Sequence, residues 1–194
     1  LTMTANIFNY FPNFFGKDEE QKLLKYLDET YNFVAAPQYT NKGITRYQKW
    51  YQTDHKYFCP EWKQRFPQWT SFEIDETIAL LIKKMQTFIT DINPRMKINS
   101  CLINKYPDGN HYISPHRDSP SSFGSEPTII ILSLGDTRTL MFEHNENKEN
   151  ISFDLESGSI FVMSGTSQKD YLHSLQKSDS TNVRYSLTFR EFIL

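Results

Sequence analysis

The chain's 194 residues predict a β-rich α+β fold, a sandwich or jelly roll with scaffold helices ahead of it. Apolar residues recur at helical spacing in only two stretches, both in the first half. The second half changes to short β-type runs separated by turn residues. Continuous alternation of strands and helices, which a doubly wound parallel sheet needs, is absent. The length supports one sizeable core, so a single domain over 1–194 is expected, divided into an N-terminal part, 1–95, and a β-rich core, 96–194.

The first helix is expected over residues 18–31, where Leu23, Leu24, Leu27 and Tyr31 keep one face apolar. Acidic residues fill its first turn, where the helix dipole favours them. Residues 37–72 hold Trp50, Tyr51, Tyr57, Phe58, Trp62 and Trp69 without sustained helical periodicity, which predicts loops and short strands. A second helix follows over 76–92, its stripe made by Ile78, Leu81, Ile82, Met85, Phe88, Ile89 and Ile92, with Asp75 as N-cap and Pro94 beyond its end. Strands are then expected over 98–106, 128–134, 139–144, 151–155, 159–163 and 183–193. Turn chemistry such as Pro107-Asp108-Gly109 and Glu156-Ser157-Gly158 separates them.

Composition narrows the function classes. Hydrophobic residues at 38% and charged residues at 23% exclude a disordered chain, and the 15% of aromatics suits a β-rich core. A net charge of −2 excludes a globally basic nucleic-acid binder, so such a partner would need a local basic face. Cys59 and Cys101 have no CxxC spacing, which fits neither a zinc site nor a disulfide framework and predicts a reducing compartment. No apolar run approaches a membrane span and the start has no basic leader. An intracellular monomer, nuclear or cytoplasmic and without a membrane partner, is therefore expected.

His116-Arg117-Asp118 puts two potential metal ligands at i and i+2, on one face of a strand or its extended exit. His173 follows beyond several expected strands, with enough chain between to return to the same end of a jelly roll. Two histidines and a carboxylate occupy one face of an octahedral iron(II) and leave positions open for a cosubstrate and oxygen, a donor set less suited to zinc. In the last strand Arg184, Ser186, Thr188 and Arg190 alternate with large apolar residues, so four polar side chains share a face. An arginine fork matches a carboxylate in bidentate fashion, as a dicarboxylic cosubstrate near an open iron requires. Asn104 and Tyr106 alternate on the strand over 98–106 and can add neutral hydrogen bonds.

Residues 102–109, then His116-Arg117-Asp118, Ser133-Leu134-Gly135, His173 and the run from Arg184 to Arg190 together resemble, in order, the AlkB family of nucleic-acid demethylases. Upstream, Thr45-Arg46-Tyr47-Gln48-Lys49-Trp50-Tyr51 is similar to that family's Pro-Arg-x-x-x-Trp-Tyr segment, followed by the aromatic pair Tyr57-Phe58. The resemblance implies a double-stranded β-helix with buttressing N-terminal helices, residues 40–72 serving as a nucleotide-recognition lid. It also implies that His116, Asp118 and His173 bind Fe(II) and form the catalytic centre. Arg184 would hold the distal carboxylate of 2-oxoglutarate beside Asn104 and Tyr106, with Ser186 and Thr188 on the same face and Arg190 pairing with Asp118 or the keto acid. Ser186 stands where the family usually has Asn.

The implied reaction consumes O2 and 2-oxoglutarate, yields succinate and CO2, and hydroxylates a methyl group on a base nitrogen, which then leaves as formaldehyde. The partner would be methylated DNA or RNA, single-stranded or with the base flipped out. Phe58 would stack on the base, Trp50, Tyr51 and Tyr57 would shape the pocket, and Arg46 with Lys42, Lys49, Lys56 and Lys63 would meet the phosphate backbone. Two residues after the iron-binding aspartate, family members acting on methylated adenine or cytosine commonly carry a second carboxylate; Pro120 stands there, so the base does not follow from the resemblance. Two alternatives stay open at this level: the same iron chemistry on a protein side chain, and a binding module with a vestigial metal site.

Overall fold

The alternation near the chain's end decides the layering. In the computed structural model, which describes residues 6–37, 43–53 and 70–193, β11 (Arg184–Arg190) is buried along its whole length at the centre of a seven-stranded sheet. It lies between β4 (Ser100–Tyr106) and β6 (Ile129–Gly135). Beyond β6 come β9 (Ser159–Met163) and β1 (Phe8–Phe11); beyond β4 come β3 (Ile44–Gln52) and β2 (Val34–Pro37). The second sheet has four strands in the order β5 (Ile113–His116), β10 (Tyr171–Leu175), β7 (Arg138–His144), β8 (Asn150–Leu155). All ladders are antiparallel. Two such sheets with helices on one outer face are the β-rich α+β jelly roll that the strand succession predicts.

Period-two alternation sends each strand of the large sheet's centre to two environments. Outward, Cys101, Ile103, Ile130, Leu132, Leu134, Tyr185, Leu187 and Phe189 pack under α1 (Lys17–Glu29) and α2 (Glu76–Thr90). The helices meet them with Leu23, Leu27, Ile78, Leu81, Met85 and Ile89, the stripes that the spacing predicts. Each fully buried Leu or Ile there contributes roughly 1.5–3 kcal/mol of transfer free energy. Asp75 caps α2 by accepting the Ile78 N–H at 2.9 Å. Inward, Ile129, Ile131, Phe161 and Met163 meet Leu140, Phe142 and Leu155 of the smaller sheet, closing one end of the roll with an apolar plug.

Three expectations change. The first helix stops at Glu29, not 31: Thr30 turns extended, its hydroxyl bonds the Tyr26 carbonyl at 2.7 Å, and Tyr31 is 74% exposed. The second helix stops at Thr90, leaving Ile92 exposed. Within residues 37–72, expected as loops and short strands, residues 44–52 form one nine-residue strand, β3, paired along β4. That strand carries polar side chains on both faces, Arg46 and Gln48 on one and Lys49 on the other, so it lacks the alternation that marks a half-buried strand.

Candidate functional site

The polar inner face of β11 and β4 lines an open-ended cleft between the sheets. Asn104, Tyr106, His116, His173, Arg184, Ser186, Thr188 and Arg190, all expected site residues, are among those lining it. Asp118 stands beside them through Arg190. Backbone register explains the assembly: Arg184 lies opposite Tyr106, and Ser186 opposite Asn104. In the smaller sheet His173 lies opposite His116.

At one end of the cleft the ligand atoms of His116, Asp118 and His173 all lie within 4.8 Å of one another. Asp118 Oδ1 is 3.9 Å from His116 Nε2 and 3.7 Å from His173 Nε2. Adjacent ligands of an octahedral ion sit about 3 Å apart, so small side-chain movements bring the three onto one ion. The donor chemistry fits as well. The His116 Nδ1–H donates to the Ser114 carbonyl at 2.9 Å, which leaves Nε2 bare for a metal. Burial, with His116 beside it, pushes His173 down to about 3, so the ring is neutral at physiological pH. Burial pushes the Asp118 carboxyl up, but Arg190, His173 and His116 together outweigh it and hold the group below its ordinary value. Arg190 Nε donates to Asp118 Oδ2 at 2.7 Å, which leaves Oδ1 facing the histidines. Of the two partners expected for Arg190, the geometry therefore gives it Asp118.

Arg184 is treated differently. It is buried, donates to the Ser133 hydroxyl at 2.9 Å, and lies 5.4 Å over the Tyr106 ring, while its Nε has no partner. Burial lowers it to about 10, still cationic at neutral pH, and no carboxylate pairs with it among the described residues. A buried cation without a counter-ion is costly, and an anion entering the cleft would relieve it.

Conserved spacing is not needed to see what these groups suit: an iron site of two histidines and a carboxylate, with an anion receptor beside it. A model of the 2OG-Fe(II) oxygenase superfamily matches residues 8–190. The chain belongs to that superfamily. Its metal is iron(II), held by the His116, Asp118 and His173 triad, and its cosubstrates are 2-oxoglutarate and dioxygen. Among curated relatives, it is similar to the DNA oxidative demethylase ALKBH2 of Arabidopsis thaliana, 27% identical over 145 residues that cover 62% of this chain and 46% of the relative. It is also similar to the mouse alpha-ketoglutarate-dependent dioxygenase alkB homolog 3, 34% identical over 108 residues covering 50% and 38% respectively. The chain thus spans less than half the length of either relative. The solved structure of OsALKBH1 superposes with a TM-score of 0.65 at 16% identity, over 97% of this chain and 100% of that one, a likeness of fold.

For this oxygenase the expected substrate residues divide. Arg46 and Trp50 share the inner face of β3, Trp50 opposite Leu102 and buried with Leu102, Phe123 and Phe192. Arg46 Nε donates to Asn104 Oδ1 at 3.1 Å. Tyr51 does not belong with them. One residue further along the strand it points outward into the core beneath the helices, 2% exposed, its hydroxyl 3.4 Å from that of Tyr26, so it cannot shape a pocket on the iron side. Lys49 likewise faces outward, 4.7 Å over the Phe72 ring. Tyr57, Phe58, Lys42, Lys56, Lys63 and most of the expected lid lie outside the described residues. Pro120 opens the short helix α3 (Pro120–Phe123) just past the aspartate.

Four contributors escape the sequence reading. Ser133 anchors Arg184, and Gln48 donates to Asn104 Oδ1 at 2.9 Å. Arg138, 2% exposed, donates to the carbonyls of Asp108 at 3.2 Å and His111 at 2.7 Å and to that of Gln176, tying the approach of β5 to the end of β10. Gln168, on the short helix α4 (Ser167–Asp170), accepts the Asp118 N–H at 2.8 Å. Ser133 and Gln48 sat within motif segments without being singled out; Arg138 and Gln168 carry no local signal.

Proposed function

We propose that this chain is an oxidative demethylase that removes N-linked methyl groups from bases of DNA or RNA. The observation that carries the chemistry is the buried Arg184, without a carboxylate counter-ion among the described residues, in the cleft that the iron triad closes, which fits the distal carboxylate of 2-oxoglutarate. The nucleic-acid substrate rests on similarity to ALKBH2 and alkB homolog 3 and on the ordered AlkB-like motifs.

Iron(II) with 2-oxoglutarate supplies the oxidising power, coupling O2 reduction and release of CO2 to insertion of one oxygen into a C–H bond. The hydroxymethyl group so formed on nitrogen leaves as formaldehyde and restores the unmethylated base. The protein's part is positioning. Arg184 and Ser133 hold the far carboxylate, and Tyr106 stacks under the guanidinium. Arg46 and Gln48 saturate Asn104 Oδ1, so Asn104 turns its N–H group to Ser186 and the cleft. Arg190 fixes the rotation of Asp118 and lies over the Phe123 ring, which packs with Trp50, Leu102 and Phe192. No general base is required of the side chains. A base inside a duplex cannot reach a buried iron, so the substrate is a single strand or a flipped-out base.

The test is succinate and formaldehyde release with single- and double-stranded DNA and RNA oligonucleotides carrying 1-methyladenine, 3-methylcytosine or N6-methyladenine. Stoichiometric formaldehyde, abolished by His116→Ala, is expected from at least one of them. Succinate that depends on His116 but that no oligonucleotide stimulates would transfer the chemistry to a protein side chain.

A further inference from the structure

We propose that Gln168 is a positioning residue for the iron ligand Asp118, and that losing its amide weakens metal binding about 10- to 100-fold. The starting point is a backbone group. Strand β5 ends at His116, so the buried Asp118 N–H lies past the ladder and needs an acceptor from elsewhere. Gln168 Oε1 supplies it at 2.8 Å, and the same side chain's Nε2 lies 3.2 Å from Met163 Sδ, which orients the oxygen toward Asp118. Gln168 is itself only 5% exposed.

Its place in the chain gives the bond its significance. Helix α4 runs directly into β10, the strand that carries His173. One side chain therefore ties the His173 segment to the backbone of Asp118, two ligand segments far apart in sequence. Arg190 holds the tip of the Asp118 carboxylate through Oδ2, and Gln168 holds its root. Two anchors fix both the position and the rotation of Oδ1, the atom nearest both histidines.

Removing the root anchor acts on metal binding more than on folding. Without the acceptor, the Asp118 segment of the metal-free protein relaxes until its N–H meets water. Metal binding must then draw it back, so the cost appears in affinity. A side chain that merely packs would show the reverse, a less stable metal-free protein with unchanged affinity.

The full chain, freed of metal, is titrated with Mn(II), whose free-ion EPR signal disappears on binding, and its melting temperature is read without metal. Gln168→Met keeps length and bulk without the amide; Gln168→Glu keeps an acceptor oxygen. The Met variant is expected to bind Mn(II) about 10- to 100-fold more weakly while the metal-free melting temperature moves by less than about 4 °C, and the Glu variant to recover most of the affinity. Affinity unchanged in the Met variant, an equal loss in the Glu variant, or a loss confined to melting temperature would each overturn the proposal. Should the Met variant fail to fold, Gln168→Asn, whose amide is one methylene short, is read in the same titration: weaker binding supports the anchor, and unchanged binding removes it.

Discussion

The two faces of β11 are equally buried and differently employed. Tyr185, Leu187 and Phe189 face the helices; Arg184, Ser186, Thr188 and Arg190 face the cleft, and all seven are hidden from solvent. On the outer face, burial is the source of stability, because each side chain removes apolar area from water. On the inner face burial is a cost, met bond by bond: Thr188 donates to the Leu102 carbonyl at 3.0 Å, Arg190 takes Asp118, and Arg184 keeps one N–H in reserve. Depth of burial alone therefore does not separate scaffold from site; the satisfaction of the polar atoms does.

Substitutions on the two faces should come apart accordingly. The largest effect belongs to the triad the inner face supports: Asp118→Ala or His173→Ala should lower succinate production at least about a thousandfold with the far-UV circular dichroism unchanged. Next, Leu187→Ala should lower unfolding free energy by about 2–5 kcal/mol in urea titrations, with the KM for 2-oxoglutarate unmoved. A shift in KM there would break the division of labour between the faces.

Arg184→Met tests the division from the other side. It should raise the KM for 2-oxoglutarate about 30-fold or more while leaving the stability of the ligand-free chain unchanged or higher, because a buried cation without a counter-ion is removed. Loss of stability comparable to Leu187→Ala would make Arg184 a structural residue. Smaller still is a dependence on pH. Burial holds His173 at about 3 against an ordinary 6.5, so between those values the unfolded chain takes up a proton that the native chain refuses. The metal-free protein therefore loses stability as pH falls from about 6.5 toward 3, by up to about 1.4 kcal/mol per unit. Urea unfolding at about pH 7.5 and about pH 5 measures the slope, which His173→Phe should flatten. Last, Tyr51→Phe removes only the 3.4 Å contact with Tyr26 and should cost about 0.5–1.5 kcal/mol with no change in kcat/KM.

Legibility in the sequence followed the same division. The helix stripes could be read because each presents one dry face, and six strands of the second half because turn residues bound their apolar runs; β10, which carries His173, was not read. The shortest strands, β1, β2 and β5, have too few residues to show a period, and β3 is polar on both sides. His116 with Asp118 and the arginines of β11 were legible because their spacing is local, whereas His173 joined them only through the order of the motifs. Tyr51 was misplaced by its neighbour: Trp50 and Tyr51 read as one aromatic unit, yet adjacent residues of a strand face opposite ways. Gln168 and Gln48 could not be found, since each acquires its role from a partner that folding alone brings near.

Asn104 gives the cleft a chemical preference. An amide normally offers both signs of hydrogen bond, but here its oxygen is taken twice over from β3. What remains is a proton donor, beside an Arg184 that can only donate. A carboxylate, which brings only lone pairs, finds partners on this wall, whereas a group with protons of its own to donate meets donors in Asn104 and Arg184 and loses its water without return. Two donors from an adjacent strand thus set the sign of the hydrogen bond that this wall offers.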